Sequence, residues 1–181
     1  MEEIISTGNQ KVSVSLSELE EPDRLILFDW INDKKLVELN SFFKPVTIEA
    51  HTNWFNSIRQ NKSVRIFGIR IIENNELIGS CQLFNINELN RAAELQIRLG
   101  SFDKMGKGYG SQAVQLLLHY GFENLNLQRI YLNVFADNIR AYKSYRKNGF
   151  AEEGHLRRAA YIGDRFVDVK VMSILKEEFP K

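Results

Sequence analysis

The sequence holds a single cysteine, Cys81, three prolines and two tryptophans in 181 residues. One thiol excludes an intrachain disulfide framework, and no Cys/His spacing resembles a zinc site, so no metal is expected. Cys81 reads as a small core residue. Charge of one sign is also missing: 24 basic and 23 acidic side chains leave a net charge of +1. No large field therefore argues for nucleic acid or an anionic membrane as partner. No apolar run approaches the ~18 residues of a membrane span, and the opening stretch MEEIISTGNQ is acidic where a signal peptide would be basic. A cytoplasmic location is the expectation. Low-complexity tracts, Pro/Gly/Ser-rich linkers and repeats are absent as well, which implies one continuous domain over 1–181.

What is present is patterned as a mixed α/β chain. Helical periodicity runs through EPDRLILFDWINDKKLVEL from about Pro22, and Thr47 caps a second helix in TIEAHTNWFNSIRQ. VRIFGIRII, ELIGSCQLFNI and AAELQIRLG read as a three-strand meander. A helix in SQAVQLLLHYGFENL then leads to the strand RIYLNVFA, a strand-helix-strand crossover. DNIRAYKSYRKNGF opens on Asp137 or Asn138 as cap and closes on Gly149. HLRRAAYI and RFVDVKVMSIL flank Gly163-Asp164, a pair suited to a two-residue hairpin turn.

The densest chemical signal is KMGKGYGSQAV, with Gly106, Gly108 and Gly110 on alternate positions before a helix. The first N–H groups of a helix lack intrahelical partners and carry partial positive charge, so a glycine turn there suits an anion. A P-loop would end in Gly-Lys-Ser/Thr, but here Ser111 follows Tyr109-Gly110. A dinucleotide fingerprint would follow its strand directly and carry Gly or Ala where Ser111 stands. A diphosphate held by backbone N–H groups remains.

Together, GKGYGSQAV and DNIRAYKSYRKNGF resemble the GNAT family of acyl-CoA-dependent N-acetyltransferases, its ribosomal-protein-acetylase-like and spermidine- or amino-sugar-acetyltransferase-like branches in particular. The resemblance implies a mixed, mostly antiparallel twisted sheet with flanking helices and a central strand-helix-strand crossover. It also implies acetyl-CoA as co-substrate. The family's loop, Gln/Arg-x-x-Gly-x-Gly/Ala, falls on Met105, Gly108 and Gly110, and Met105 departs from the pattern. Because backbone N–H groups do most of the binding, this removes one side-chain contact, and Lys104 or Lys107 is the candidate to supply charge in its place. The second motif falls on Asn138, Ala141, Tyr145, Lys147, Gly149 and Phe150. The cofactor set is thus Leu99, Gly100, Met105, Gly106, Lys107, Gly108, Tyr109, Gly110, Ser111, Asn138 and Lys147. Asn138 would bond the pantetheine arm, cap its helix, or both.

Amine attack on a thioester needs a neutral amine, donors for the developing oxyanion and a proton for the thiolate. By its motif position Tyr145 is the candidate proton donor. Glu94 shares a strand face with Gln96 and Arg98 and is the candidate base, directly or through water; a solvated face or an ion pair with Arg98 is the plainer alternative. Backbone N–H groups near Leu99 and Gly100 are the candidate oxyanion donors. For the acceptor, Trp30, His51 and Trp54 stand out among the aromatics of the first quarter. They suit a small amine, an amino sugar (free or nucleotide-linked) or a polyamine, with amino sugars expected to outperform polyamines. A protein N-terminal amine is the runner-up, and a non-catalytic acyl-CoA-binding module the alternative of another class. The C-terminal hairpin offers an edge on which a homodimer would form.

Overall fold

The computed structural model describes residues 13–180; the acidic N-terminal stretch lies outside them. Strand β1 (Val14–Ser17) is followed by α1 (Asp23–Asn32), α2 (Lys34–Val37) and α3 (Ile48–Ile58). Next come β2 (Arg65–Ile71), β3 (Leu77–Asn87), β4 (Ala92–Leu99) and α4 (Tyr109–His119), which runs on as a wider turn through Asn124. The chain finishes with β5 (Arg129–Phe135), α5 (Ile139–Lys147), β6 (Ala151–Ile162) and β7 (Arg165–Leu175). Seven strands form one sheet in the order β1-β2-β3-β4-β5-β7-β6, antiparallel except for β4 with β5.

Two elements depart from the sequence reading. β1 is an added strand, antiparallel to β2 from Val14 opposite Ile71. The single helix expected from Pro22 breaks at Asp33, whose extended backbone ends α1 while its carboxylate accepts the N–H groups of Lys35 and Leu36 and so starts α2. Thr47 and Asn138 cap α3 and α5 as expected, each accepting the N–H three residues on. Gly149, at φ +90°, ends α5, and Gly163-Asp164, both at positive φ, turn β6 into β7.

Alternation along the strands gives the sheet two different faces. On one, Leu83, Leu95, Ile130, Leu132 and Ile174 form the main core with Leu117 of α4 and Tyr145 of α5. Cys81 is buried here, and burial pushes its thiol pKa upward, so it stays an inert thiol. The other face is covered by α1 and α3 over its β1–β3 side, through Leu19, Leu27 and Phe55. A buried ion pair fastens this second layer: Arg70 of β2 donates to both oxygens of Asp23 at 2.8 and 2.7 Å, and its Nε donates to Ser17. Gln82, Glu94, Gln96 and Arg98, only partly buried, share that face beyond the helices.

Candidate active site

The sheet opens in its middle. β4 and β5 pair only from Ala92–Arg129 to Glu94–Tyr131, after which they part, each continuing beside its outer neighbour, to Leu99 and to Phe135. A cavity of about 360 Å³ occupies this fork. Ser111 and Val114 of α4 line it from the core side, and Leu36, Leu39 and Asn40 close it from the other.

Strand geometry decides which backbone groups face the fork. The Gly100 N–H donates to the Ile78 carbonyl at 2.8 Å, so the antiparallel alternation turns the polar groups of Leu99 and Ile97 away from β3 and toward the fork. The Ile97 carbonyl indeed receives the Asn40 Nδ2 at 3.2 Å. Of the two expected oxyanion donors, Leu99 keeps its place and Gly100 does not, because its N–H is spent within the sheet.

The glycine turn is open toward the cavity. Gly106 and Gly108 have φ of +78° and +88°, and a Cβ on either would meet nothing within 4 Å. Both line the cavity, as do Met105, Gly110, Ser111, Leu99, Asn138, Tyr145 and Lys147. Three expected members do not: Gly100, whose N–H is spent within the sheet, Lys107, which is exposed, and Tyr109, which packs against the core. Neither lysine makes up for Met105. Lys104 is held by Glu76 at 2.7 Å, and the charge beside Met105 comes from α5, where Arg140 NH2 lies 2.8 Å from the Met105 sulfur. Arg98, Arg140, Lys143 and Lys147 all line the cavity, with no carboxylate among its lining residues, a surface made for a phosphorylated ligand.

Tyr145 is 8% exposed, with its ring edge-on to Phe150. Burial raises its pKa above the ordinary phenol value, so the hydroxyl stays protonated at neutral pH and able to donate. Asn138 caps its helix, with Oδ1 accepting the Ala141 N–H, while Nδ2 donates to the Leu39 carbonyl and ties α5 to the segment over the cavity.

Glu94 stands at the fork's apex rather than in the cavity wall. Asn85 and Asn133 donate to its two oxygens at 3.3 and 3.0 Å, and Asn133 does line the cavity. Arg98 is not its partner; that guanidinium donates to Asn40 instead, and burial lowers its pKa.

The first-quarter aromatics lie apart from the fork. His51 is 4% exposed between α1 and α3, its Nε2–H donating to the Arg24 carbonyl, its ring 5.6 Å from Phe28 and 5.1 Å from Trp54. Trp30 joins the small core beside Leu27 and faces a second cavity with Glu76 and Lys104. None of the three lines the fork. The side chains of that quarter that do, Leu36, Leu39 and Asn40, carry no motif; only the spacing of Leu36 and Leu39 on a short apolar turn signalled them.

A model of the "Acetyltransferase (GNAT) domain" matches residues 14–151. The chain belongs to the GNAT acetyltransferase family. It is 37% identical over 125 residues to a spermidine N(1)-acetyltransferase of Vibrio cholerae, covering 69% of this chain and 71% of the relative. Its structure resembles that of spermidine N-acetyltransferase from Vibrio cholerae in complex with CoA and spermine, with a TM-score of 0.86, 31% identity, and 93% and 98% of the two chains covered. A dodecameric structure of the Vibrio cholerae enzyme matches at a TM-score of 0.80 and 30% identity, over 92% and 96% of the chains. This GNAT chain is an acetyl-CoA-dependent N-acetyltransferase with a mixed, mostly antiparallel sheet. Among the described residues no helix is long and apolar enough to cross a membrane, and no cluster of three His, Cys, Asp or Glu side chains could hold a metal.

Proposed function

We propose that this acetyltransferase acylates an aliphatic primary amine of the polyamine class, through direct attack on acetyl-CoA in the β4–β5 fork. The observation that carries the reading is the fork itself: an open seam with unpaired strand groups, glycine-lined helix start at one end and a buried tyrosine in its wall. The diphosphate sits on the first N–H groups of α4 beside Gly108 and Gly110. Arg140, Lys143 and Lys147 neutralise its charge and that of the adenosine phosphate. The pantetheine arm, an extended chain with two amides, lies along β4, and the Leu99 N–H stabilises the thioester oxygen as it gains charge.

α4 and α5 fill one face of the sheet, so the amine enters from the face that carries Glu94, Gln96 and Arg98. Its proton leaves through a water to Glu94, whose carboxylate Asn133 holds in place by donating to it. The nitrogen lone pair then attacks the carbonyl carbon, the tetrahedral intermediate collapses, and the C–S bond breaks. Tyr145 donates its proton to the departing thiolate, and the second proton on the nitrogen leaves through water to restore the phenol. The names of the relatives support a polyamine acceptor. An amino sugar has an observation of its own: Asn40, Gln82, Gln96 and Asn133 are neutral amides, and the cation Arg98 beside them is poor company for a multiply charged amine. The test is kcat/KM at saturating acetyl-CoA for spermidine, spermine, amino sugars and a ribosomal-protein N-terminal peptide. Spermidine or spermine should lead; an amino sugar or the peptide ahead by ten-fold or more overturns the assignment.

The reading takes the chain as one domain working in the cytoplasm, where acetyl-CoA is available, and as a self-associating protein. β6 supports the last point. It is a twelve-residue edge strand with Leu156 and Tyr161 about half exposed, and its charges are self-complementary: Glu152 and Glu153 toward one end, Arg157 and Arg158 toward the other. Two copies paired antiparallel about His155 would set acid against base. Sedimentation of Leu156→Glu at lower mass than the parent would support this homodimeric contact; unchanged mass would remove it.

A further inference from the structure

Asn148, the residue that ends α5, is 5% exposed, and its side chain leaves its own helix end to reach α4. One nitrogen, Nδ2, lies 2.8 Å from the Ser144 carbonyl and 2.9 Å from Ser111 Oγ. The carbonyl can only accept, so this atom is the amide NH2 and not the amide oxygen. Both its hydrogens are then committed, and an NH2 group accepts nothing. Ser111 must therefore be the acceptor in this contact, and its own hydroxyl proton must point elsewhere. Among the described residues that proton has no acceptor, whereas Ser111 lines the cavity at the third residue of α4, beside Gly108 and Gly110. The arrangement also has a cost: Asn148 Oδ1 is buried without a partner.

We propose that Asn148 is a positioning residue for the cofactor: it locks the Ser111 hydroxyl as a hydrogen-bond donor toward the acetyl-CoA diphosphate. The inference rests on the diphosphate lying at the start of α4. A free serine hydroxyl rotates and, in the first turn of a helix, readily turns its proton to a nearby carbonyl. Occupied from behind by an amide donor, it keeps only the outward direction, where an anion is the acceptor.

The experiment compares Ser111→Ala, Asn148→Ala, the double variant and Asn148→Asp with two acyl donors, acetyl-CoA and S-acetylpantetheine, which lacks the diphosphate. Loss of one hydrogen bond to a charged group predicts an acetyl-CoA KM raised roughly ten-fold in Ser111→Ala and in Asn148→Ala. The double variant should be no worse than Ser111→Ala, with kcat within about two-fold and S-acetylpantetheine kinetics unchanged. Asn148→Asp keeps the side chain's shape, so it carries the test should the alanine variant fail to fold. Its carboxylate draws the Ser111 proton to itself and should raise KM further. Additive effects in the double variant, equal losses with both donors, or an unchanged acetyl-CoA KM overturn the proposal. Gly108→Glu separates the two levels: if it raises KM while Asn148→Ala and Asn148→Asp do not, only the role of Asn148 falls. If it too is without effect, the diphosphate does not lie at α4.

Discussion

The indole of Trp30 lies directly against the backbone of Gly100: a Cβ placed there would come within 1.9 Å of the indole Cε2. Trp30 belongs to the second layer of the fold, and Gly100 is the residue at which β4 turns toward the glycine loop. The contact thus joins the packing of α1 to the end of the strand whose Leu99 N–H faces the fork. Gly100→Ala should force the ring or the strand end aside, at a cost of roughly 1–3 kcal/mol. Thermal unfolding would read that cost, and KM for acetyl-CoA should rise with it. A variant as stable as the parent, with unaltered KM, would show that the strand end is not held by this contact.

Tyr145→Phe should leave acetyl-CoA affinity within a few-fold and lower kcat by roughly 10², the effect of losing a positioned acid. Since burial moves the phenol pKa upward, its protonated form persists as pH rises. The parent should therefore show no alkaline fall from this group below about pH 10. A kcat unchanged by the substitution at every pH would make Tyr145 a packing residue.

Gly108→Glu should abolish acetyl-CoA binding while the fold survives, since φ of +88° strains any L side chain but the space around it is open. Calorimetry on the folded variant is the measurement. Unaltered affinity would remove the glycine turn from the site.

His51 makes stability depend on pH. Burial disfavours its charged form, so its folded pKa lies below the ordinary value of about 6.5. Below that value the unfolded chain takes up the proton first. The contribution of the neutral ring is complete above pH ~6.5 and is lost as pH falls toward the lowered folded value. Thermal midpoints of the parent and of His51→Gln, followed from pH 8 to about 5, should converge on acidification. Parallel curves would rule out this titration.

The features legible in the sequence were those whose geometry is local. The glycine turn and the run from Asn138 to Phe150 each carry their caps, turns and spacing within a dozen residues, so composition alone places them. Two acceptable helix periods hid the break at Asp33, because a capping aspartate is also an ordinary exposed helical residue. β1 offers only four residues, buried at three of them, and shows no alternation. His51 and Trp54 lie 5.1 Å apart and away from the fork, and nearness in sequence cannot tell an aromatic facing a cleft from one facing its neighbour on the next turn. Asn40 and Arg98 meet across 58 positions, and the Gly100 N–H is taken by a residue on another strand. Relations of that range become visible only once the sheet has its register.

A sheet that parts in its middle resembles an unfinished edge, with donors and acceptors on Ile97 and Leu99 facing outward as on any template for another strand. Such a surface invites stray extended peptides, the route by which proteins aggregate or capture the wrong partner. Here the guard is internal: Asn40, carried over the seam by the turn after α2, places its amide on the Ile97 carbonyl and its oxygen on Arg98. The segment acts as a stopper made of the chain's own side chains. A reader of this surface must displace or thread past it, which a narrow pantetheine arm does far more readily than a peptide strand with side chains on both faces.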